Sequence, residues 1–411
     1  MTFSSASHQF LRELTEVHGP SFYVFWEERL SSNFHRLDSA FRGEYPRTEI
    51  AYSYKTNYVP AVCKTVHALG GLAEVVSAME WEMASLYGVP PSMVIYNGPN
   101  KSSSSFADAI ASGALVQLDS RRDWQMLKDL RNGQEEAELS FGLRVNFELK
   151  PGETSRFGVD IEGDLFREIL SEVRKDDRLT LRGLHCHFPD RDIESFRTRI
   201  DRLIAISATT FSEGSPEYLN VGGGLYGELN TTTAARLGTP VSAYTDYAAV
   251  VAGRMRQEFG VGDGTPRLII EPGTALVADA MSFVTTVIDV RDIRGRRVAV
   301  VDGSLFNVSP YSRSRSLPLH VIAEREVKGA PGSEVAGFTC IESDVITFDA
   351  PLGLRVGDLL VYDNVGSYSV VMKPPFILPS PPILQISPDS HVDVVRRRET
   401  VHDILATYPG V

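Results

Sequence analysis

Three side chains and one glycine run in this sequence could share a reaction. Lys55 closes the apolar run TEIAYSYK (48–55). A lysine at the end of a buried strand must be paired, deprotonated or covalently used, because burying a lone ammonium is costly. Desolvated, it suits imine formation; the bland alternative is an amine that snorkels to solvent. The run VGGGLYG (221–227) carries Gly222, Gly223 and Gly224, whose bare backbone lets N–H groups approach an anion closely. Most such runs are plain turns. Glu271 opens EPGT and could keep the nitrogen of an aromatic ring protonated, or it could be a loop glutamate or a structural ion pair. His187, in GLHCHF, could stack on a flat ring or be a satisfied core histidine. With His185 it also resembles half of a metal site, but no third ligand can be picked out.

These residues need elements to hold them. Eight β-rich runs precede polar or glycine residues: 48–55, 73–77, 93–98, 114–120, 140–146, 181–188, 218–224 and 267–273. Amphipathic stretches such as EWEMASLYG (80–88) and SRRDWQMLKDLRN (120–132) fill most gaps. Strand alternating with helix implies parallel strands and crossovers. Eight units over about 225 residues match a (β/α)8 barrel; a doubly wound open sheet is the rival. In a barrel the active site lies where the strands end. The residues ending these runs are Lys55, Ser77, Asn97, Asp119, Arg144 with Asn146, His187, the glycine triplet and Glu271, a polar ring on apolar strands.

After Gly273 the texture changes. SFVTTVIDV, RRVAVVDG, LPLHVI, SEVAGFTC, DLLVYDN and SYSVVM are short and β-branched, which predicts an antiparallel β-domain. SFYVF, near the start, could add a strand to it, and KPPFILPSPPILQISP (373–388) reads as a surface loop and extended tail. The expected domains are therefore a barrel over 29–273 and a β-sandwich or β-barrel-like domain from 1–28 and 274–411.

Composition bounds the setting. With 41 basic and 53 acidic side chains the net charge is −12, which disfavours nucleic acid and anionic membrane as partners. Cys63, Cys186 and Cys340 are scattered and odd in number, without disulfide or zinc spacing, as suits a reducing cytoplasm. No run approaches about 18 apolar residues and no signal peptide is visible, so a soluble cytoplasmic protein is expected.

Nine motifs occur in a fixed order: YSYKTN, AEVVSAMEWE (73–82), YNGPNKS (96–102), SRFGVD (155–160), GLHCHF, NVGGG, IEPG, GFTCIESD (337–344) and VGSYS (365–369). Together they resemble the fold-type III decarboxylases that use pyridoxal 5′-phosphate, the group of diaminopimelate, ornithine and arginine decarboxylases. The resemblance covers nearly the whole chain. It implies the alanine racemase-like two-domain architecture, a homodimer with active sites shared between chains, and an amino-acid substrate. It assigns Lys55 as the Schiff-base lysine, His187 as the ring-stacking residue and Glu271 as the partner of the pyridine nitrogen. Gly222, Gly223, Gly224 and Tyr368 would hold the phosphate, with Gly273 and Thr274 alongside. Cys340, reaching in from the partner chain, would donate the proton that completes the reaction; read alone, it is an inert buried strand cysteine.

Four departures concern the substrate more than the chemistry. Thr274 stands where many relatives have arginine, and Ser309 where a second arginine usually precedes a proline. Arg313 and Arg315 could restore the charge or be solvated; with Tyr311 and Glu342 they are the candidate substrate contacts. Ile341 follows Cys340 where an acid normally reads the substrate's distal amine. His187-Phe188-Pro189-Asp190 replaces the usual HxGS. Competing expectations are an amino-acid racemase on a similar scaffold, a catalytically silent cofactor-fold protein that binds a partner, and an unrelated metal-dependent barrel enzyme.

Overall fold

The computed structural model describes residues 5–133, 137–212, 214–227, 241–308, 317–327 and 331–410. These residues fall into two units: one built between residues 31 and 276, the other from residues before 31 and after 276.

The first strand of the chain, β1 (Ser21–Trp26), belongs to the second unit. The first unit holds β2 (Thr48–Ser53), β3 (Leu72–Val75), β4 (Val94–Tyr96), β5 (Leu115–Leu118), β6 (Leu139–Asn146), the two-residue β7 (Val159–Asp160), β8 (Leu179–His185), β9 (Tyr218–Asn220) and β10 (Arg267–Ile270). All pair in parallel in the order β2-β3-β4-β5-β6-β8-β9-β10, and β10 returns to β2 with Leu268 opposite Thr48. The eight-strand barrel is closed, with β7 appended to β6. Apart from β6, which reaches Asn146, each strand stops short of its apolar run, because the last residues leave the ladder to form the βα loops.

The barrel interior is filled with side chains. Ala51, Ile95, Leu115, Tyr218 and Ile269 form one buried cluster. Gln117 Nε2 donates to Tyr218 Oη at 2.9 Å, and a Cβ at Gly142 would lie 1.9 Å from that hydroxyl. Glycine is there to admit the tyrosine.

The second unit is a nine-stranded sheet whose spine is β11 (Met281–Ile293), paired antiparallel to β1 and to the strand Arg296–Val301. Leu11, Phe22, Val24, Val284, Val361 and Leu384 lie in its main core. Three expectations need correction here. Ile383–Ile386, inside the proline-rich stretch, is a strand paired parallel to β1, not a tail. Pro381 and Pro382 sit just before it, where a missing N–H costs no ladder bond, and Pro382 O accepts from Tyr23 N at 2.9 Å. SYSVVM is not a strand: Ser369–Met372 is a helical turn, entered through Tyr368 at φ 62° and anchored by Ser369 Oγ on Val308 O at 2.8 Å. Val345–Pro351, not read from the sequence, is a strand. The sheet is also mixed, since Arg296–Val301 pairs in parallel with Pro331–Ala336. No helix among the described residues is long and apolar enough to cross a membrane.

Candidate active site

Lys55 does not end β2. The chain leaves the ladder after Ser53 and makes one 3-10 turn, Tyr54–Thr56, with Lys55 at its centre. In that turn the buried ring of Tyr54 brings its hydroxyl 2.7 Å from His67 Nε2. Lys55 Nζ donates to Glu74 and, at 3.4 Å, to Ser53 Oγ. The lysine side chain is 36% exposed and that of Glu74 only 1%, so the amine stays reachable while its counter-ion is fixed. Beside them Glu80 is buried and accepts from Val76 N at 2.7 Å. Burial pushes its carboxyl up to about 7, against the pull of the Val76 amide and with the charge of Glu74 adding to the rise.

A chain of hydrogen bonds links this amine to Glu271. Asn97 Nδ2 donates to Glu74 Oε1 at 3.0 Å and to Glu271 Oε1 at 2.8 Å, bridging the two carboxylates. Asn220 Nδ2 adds a second donor to Glu271 Oε1 at 2.7 Å, and His185 Nε2 lies 3.4 Å from Oε2. Burial alone would raise the Glu271 carboxyl. The facing imidazole of His185, with Lys55, outweighs it and holds the group well below the ordinary carboxylate range. Glu271 is thus a buried, ionised acid, not an exposed loop residue.

His187 adjoins the glycine run. Its Nδ1 accepts from Gly223 N at 3.0 Å, which leaves the ring proton on Nε2. Burial, then the charges of Lys55, Arg199 and Arg144, push it far below the usual histidine value, so the ring is neutral. Gly222 and Gly224 have φ of 71° and 99°, and a Cβ at Gly222 would sit 2.5 Å from Cys186 O. Only glycine fits that turn. Gly273 is equally confined, 2.0 Å from Thr56 Oγ1 for an added Cβ, and Thr274 starts the short helix Thr274–Val277. Of the other strand-end residues, Arg144 pairs with Asp119 at 3.0 Å and donates to His187 O at 3.2 Å, while Ser77 caps the helix Ala78–Leu86. Asn146 only anchors Ser155 O, at 2.6 Å.

Cys340, Glu342 and Tyr368 belong to the second unit. Cys340 is exposed in the turn after Pro331–Ala336, which removes the reading of a buried strand cysteine. Ile341 and Glu342 are exposed beside it. Buried Asp344 shapes the turn, accepting from Ser304 Oγ at 3.0 Å, Leu305 N at 2.7 Å and Thr339 Oγ1 at 2.6 Å. Tyr368 is partly buried at its left-handed backbone position. Tyr311, Arg313 and Arg315, with Ser309, lie outside the described residues. Among the described residues no group of three or more His, Cys, Asp or Glu is arranged to hold a metal ion. Sequence reasoning missed Glu74, Asn220 and Arg199; the readable signal for Glu74 was an acid inside a four-residue buried strand.

Comparison with known proteins bears on what this network serves. Residues 30–278 match the family described as pyridoxal-dependent decarboxylase, pyridoxal binding domain. The diaminopimelate decarboxylase of Methanothermobacter thermautotrophicus is 28% identical, over 96% of this chain and 92% of its own length. Among solved structures, diaminopimelate decarboxylase from Methanocaldococcus jannaschii superposes with a TM-score of 0.84 at 24% identity, covering 97% of this chain and 94% of that one. Lysine/ornithine decarboxylase from Vibrio vulnificus superposes with 0.75 at 19% identity, covering 91% and 96%. The residues fit pyridoxal phosphate: an amine on a fixed carboxylate, an ionised buried acid, a neutral imidazole and a glycine turn. Asn97 Oδ1, buried without a donor among the described residues, is an acceptor still to be satisfied. The family match takes in more than half of the chain and every strand that carries this network, and the chain belongs to the pyridoxal-dependent decarboxylases, enzymes that remove a carboxylate from an amino acid with pyridoxal phosphate as cofactor.

Proposed function

We propose that Lys55 holds the cofactor covalently and that the substrate is an α-amino acid whose far end is not a free ammonium. The observation that carries the first part is the continuous path Lys55–Glu74–Asn97–Glu271, which sets a reachable amine and a buried ionised acid in one rigid network. When bound, the cofactor supplies a protonated pyridine ring that takes up the electrons of the breaking Cα–carboxylate bond. Glu271 holds the proton on the ring nitrogen, since a carboxylate this strongly stabilised as an anion favours a cation beside it. His187, neutral and fixed through Nδ1, offers a flat uncharged face for stacking. Glu74 keeps the Lys55 amine oriented and takes part of its charge. Gly222, Gly223, Gly224 and Tyr368 would form the phosphate site, Gly222 and Gly223 through the shape of the turn and Gly224 through its N–H, with Gly273 giving the close approach and Thr274 a hydroxyl.

Cys340 is the proton donor, contributed by the partner chain of a homodimer; its exposure in the second unit supports this role. Ile341 beside it supports the substrate reading, because an isoleucine cannot pair with an ammonium, and Glu342 one place on points to a polar but differently placed contact. Arg313, Arg315 and Tyr311 remain substrate candidates on sequence grounds. The test is CO2 release by the purified, cofactor-loaded protein across D- and L-amino acids, including acylated diamines. Turnover of conjugated substrates, with none for diaminopimelate, ornithine, lysine or arginine, is expected. Efficient turnover of any of those four defeats the substrate reading, and a fully active Lys55→Ala variant that keeps the visible absorbance of lysine-bound cofactor defeats the first.

A further inference from the structure

Arg199, on the helix Ile193–Thr210, is completely buried, yet no carboxylate among the described residues pairs with it. A buried cation without a counter-ion is expensive and must be repaid in hydrogen bonds. Here all five guanidinium N–H groups are used. Nε donates to Ser195 Oγ at 3.2 Å. One terminal nitrogen donates to Val221 O at 3.3 Å and Gly223 O at 2.8 Å, the other to Phe188 O at 2.9 Å and Asp190 O at 2.6 Å. The ring of Phe196 covers one face, 4.1 Å away. The nearby acid Asp190 turns its carboxylate to Lys150 instead, at 2.5 Å.

Those partners belong to the glycine run and to the loop after His187, and their consequence follows from peptide geometry. In a trans peptide a carbonyl and the following N–H point in opposite directions, and none of the described bonds is cis. Gly222 N donates to Asn220 Oδ1 at 2.9 Å and Gly223 N to His187 Nδ1 at 3.0 Å, so two of the three glycine amides are committed within the protein. Arg199 pulls Gly223 O back, which turns Gly224 N–H to the opposite side, where no described residue accepts from it. The guanidinium charge then sits directly behind that free donor, while the neutral Thr274 brings no charge to the adjoining segment.

We propose that Arg199 is a positioning residue for the cofactor's phosphate: it sets the Gly223–Gly224 peptide so that Gly224 N–H is presented to the anion, and it provides an uncompensated positive charge behind the loop. The inference rests on the reading of the glycine run as the phosphate site. Unable to reach a ligand with its own committed donors, Arg199 acts only through the backbone and through its field.

The test compares binding of pyridoxal phosphate and of pyridoxal, which lacks the phosphate, to the full-length protein stripped of cofactor, for wild type, Arg199→Met and Arg199→Lys. Wild type should strongly prefer the phosphorylated form. Arg199→Met should raise the Kd for pyridoxal phosphate by about 10- to 100-fold, the scale of one charge-assisted anion contact, and that for pyridoxal by less than about threefold. Arg199→Lys, which keeps the charge but not the fork, should fall between. A general loss of structure would weaken both ligands equally and overturn the proposal, as would an unchanged preference in either variant. Should Arg199→Met fail to fold, the lysine variant decides by the same ratio. A wild type that fails to discriminate between the two ligands overturns the glycine-loop reading itself, a result distinct from discrimination that survives loss of the arginine.

Discussion

Replacing Glu271 by glutamine separates the charge at that position from its shape. Glutamine keeps an oxygen where Asn97 and Asn220 donate, at 2.8 and 2.7 Å, so both amides stay satisfied. A hydrogen bond to a charged acceptor contributes about 1.5–3 kcal/mol and one to a neutral acceptor about 0.5–1.5, so the exchange loses about 2 kcal/mol over the two. The variant also no longer buries an anion, but the cations facing Glu271 already outweigh that burial cost, so neutralising it brings no offsetting gain. The cofactor-free protein should therefore lose about 2 kcal/mol at neutral pH, a fall in Tm of roughly 4–8 °C. Catalysis should suffer more. If Glu271 faces the ring nitrogen as proposed, loss of its charge should lower kcat by about 100- to 1000-fold, the scale seen when one preorganised stabilising group is removed. The pH dependence has a definite sign. The folded carboxyl titrates below its unfolded value of about 4.3, so its contribution is present above that pH and is lost as pH falls through the folded value. The stability difference between wild type and variant should stay constant from about pH 5 to 9 and change only in acid. Steady-state kinetics and thermal denaturation of the same preparations decide the matter. A kcat within about fivefold of wild type, or a Tm lowered by more than about 10 °C, would refute the reasoning.

Three further outcomes are expected. On the proposed homodimer, mixing Lys55→Ala with Cys340→Ala subunits should restore about one quarter of wild-type activity, because half of the randomly paired dimers would carry one intact shared site; no recovery after subunit exchange would exclude the shared site. Glu80 titrates near 7, above its unfolded value, so the stability it confers is full below about pH 4.5 and is lost as pH rises through about 7. Wild type should thus lose about 3 kcal/mol relative to Glu80→Gln between pH 5 and 9, read from urea midpoints, and parallel profiles for the two would contradict this. Asn97→Ala strips one donor from both Glu74 and Glu271 and should destabilise the protein by about 3 kcal/mol or more at neutral pH, measured by urea denaturation; a change below about 1 kcal/mol would mean that the bridge is not formed in solution.

The barrel was legible because its signal is local and repeated. Each of the eight runs joins apolar residues to a polar or glycine stop, and eight such units match the size of a closed barrel. The site was legible only at its most distinctive residues. Lys55, His187, Glu271 and the glycine triplet have side chains, or lack them, in ways that a buried strand end does not otherwise tolerate. What the sequence withheld is relational. Asn97 stood out as a strand end, but nothing nearby in the chain says that its amide bridges two carboxylates from β3 and the end of β10. Arg199 sits at a helical position that reads as amphipathic surface; only the fold turns it inward, onto the carbonyls of Phe188, Asp190, Val221 and Gly223, which lie 9 to 24 residues away. The same limit explains the second unit. Ile383–Ile386 is too short and too proline-flanked to announce a strand, and it becomes one because β1, from the far end of the chain, offers an unpaired edge. Where a role depends on one residue's own chemistry the sequence carries it, and where it depends on which groups are brought face to face, the backbone decides. For this enzyme that division separates the proposed cofactor contacts from the proposed substrate contacts: Lys55, His187, Glu271 and the glycine triplet directly follow strands whose order is set by the chain, whereas Cys340, Ile341 and Glu342 lie on an exposed turn of the second unit, so substrate choice is where measurement will add most.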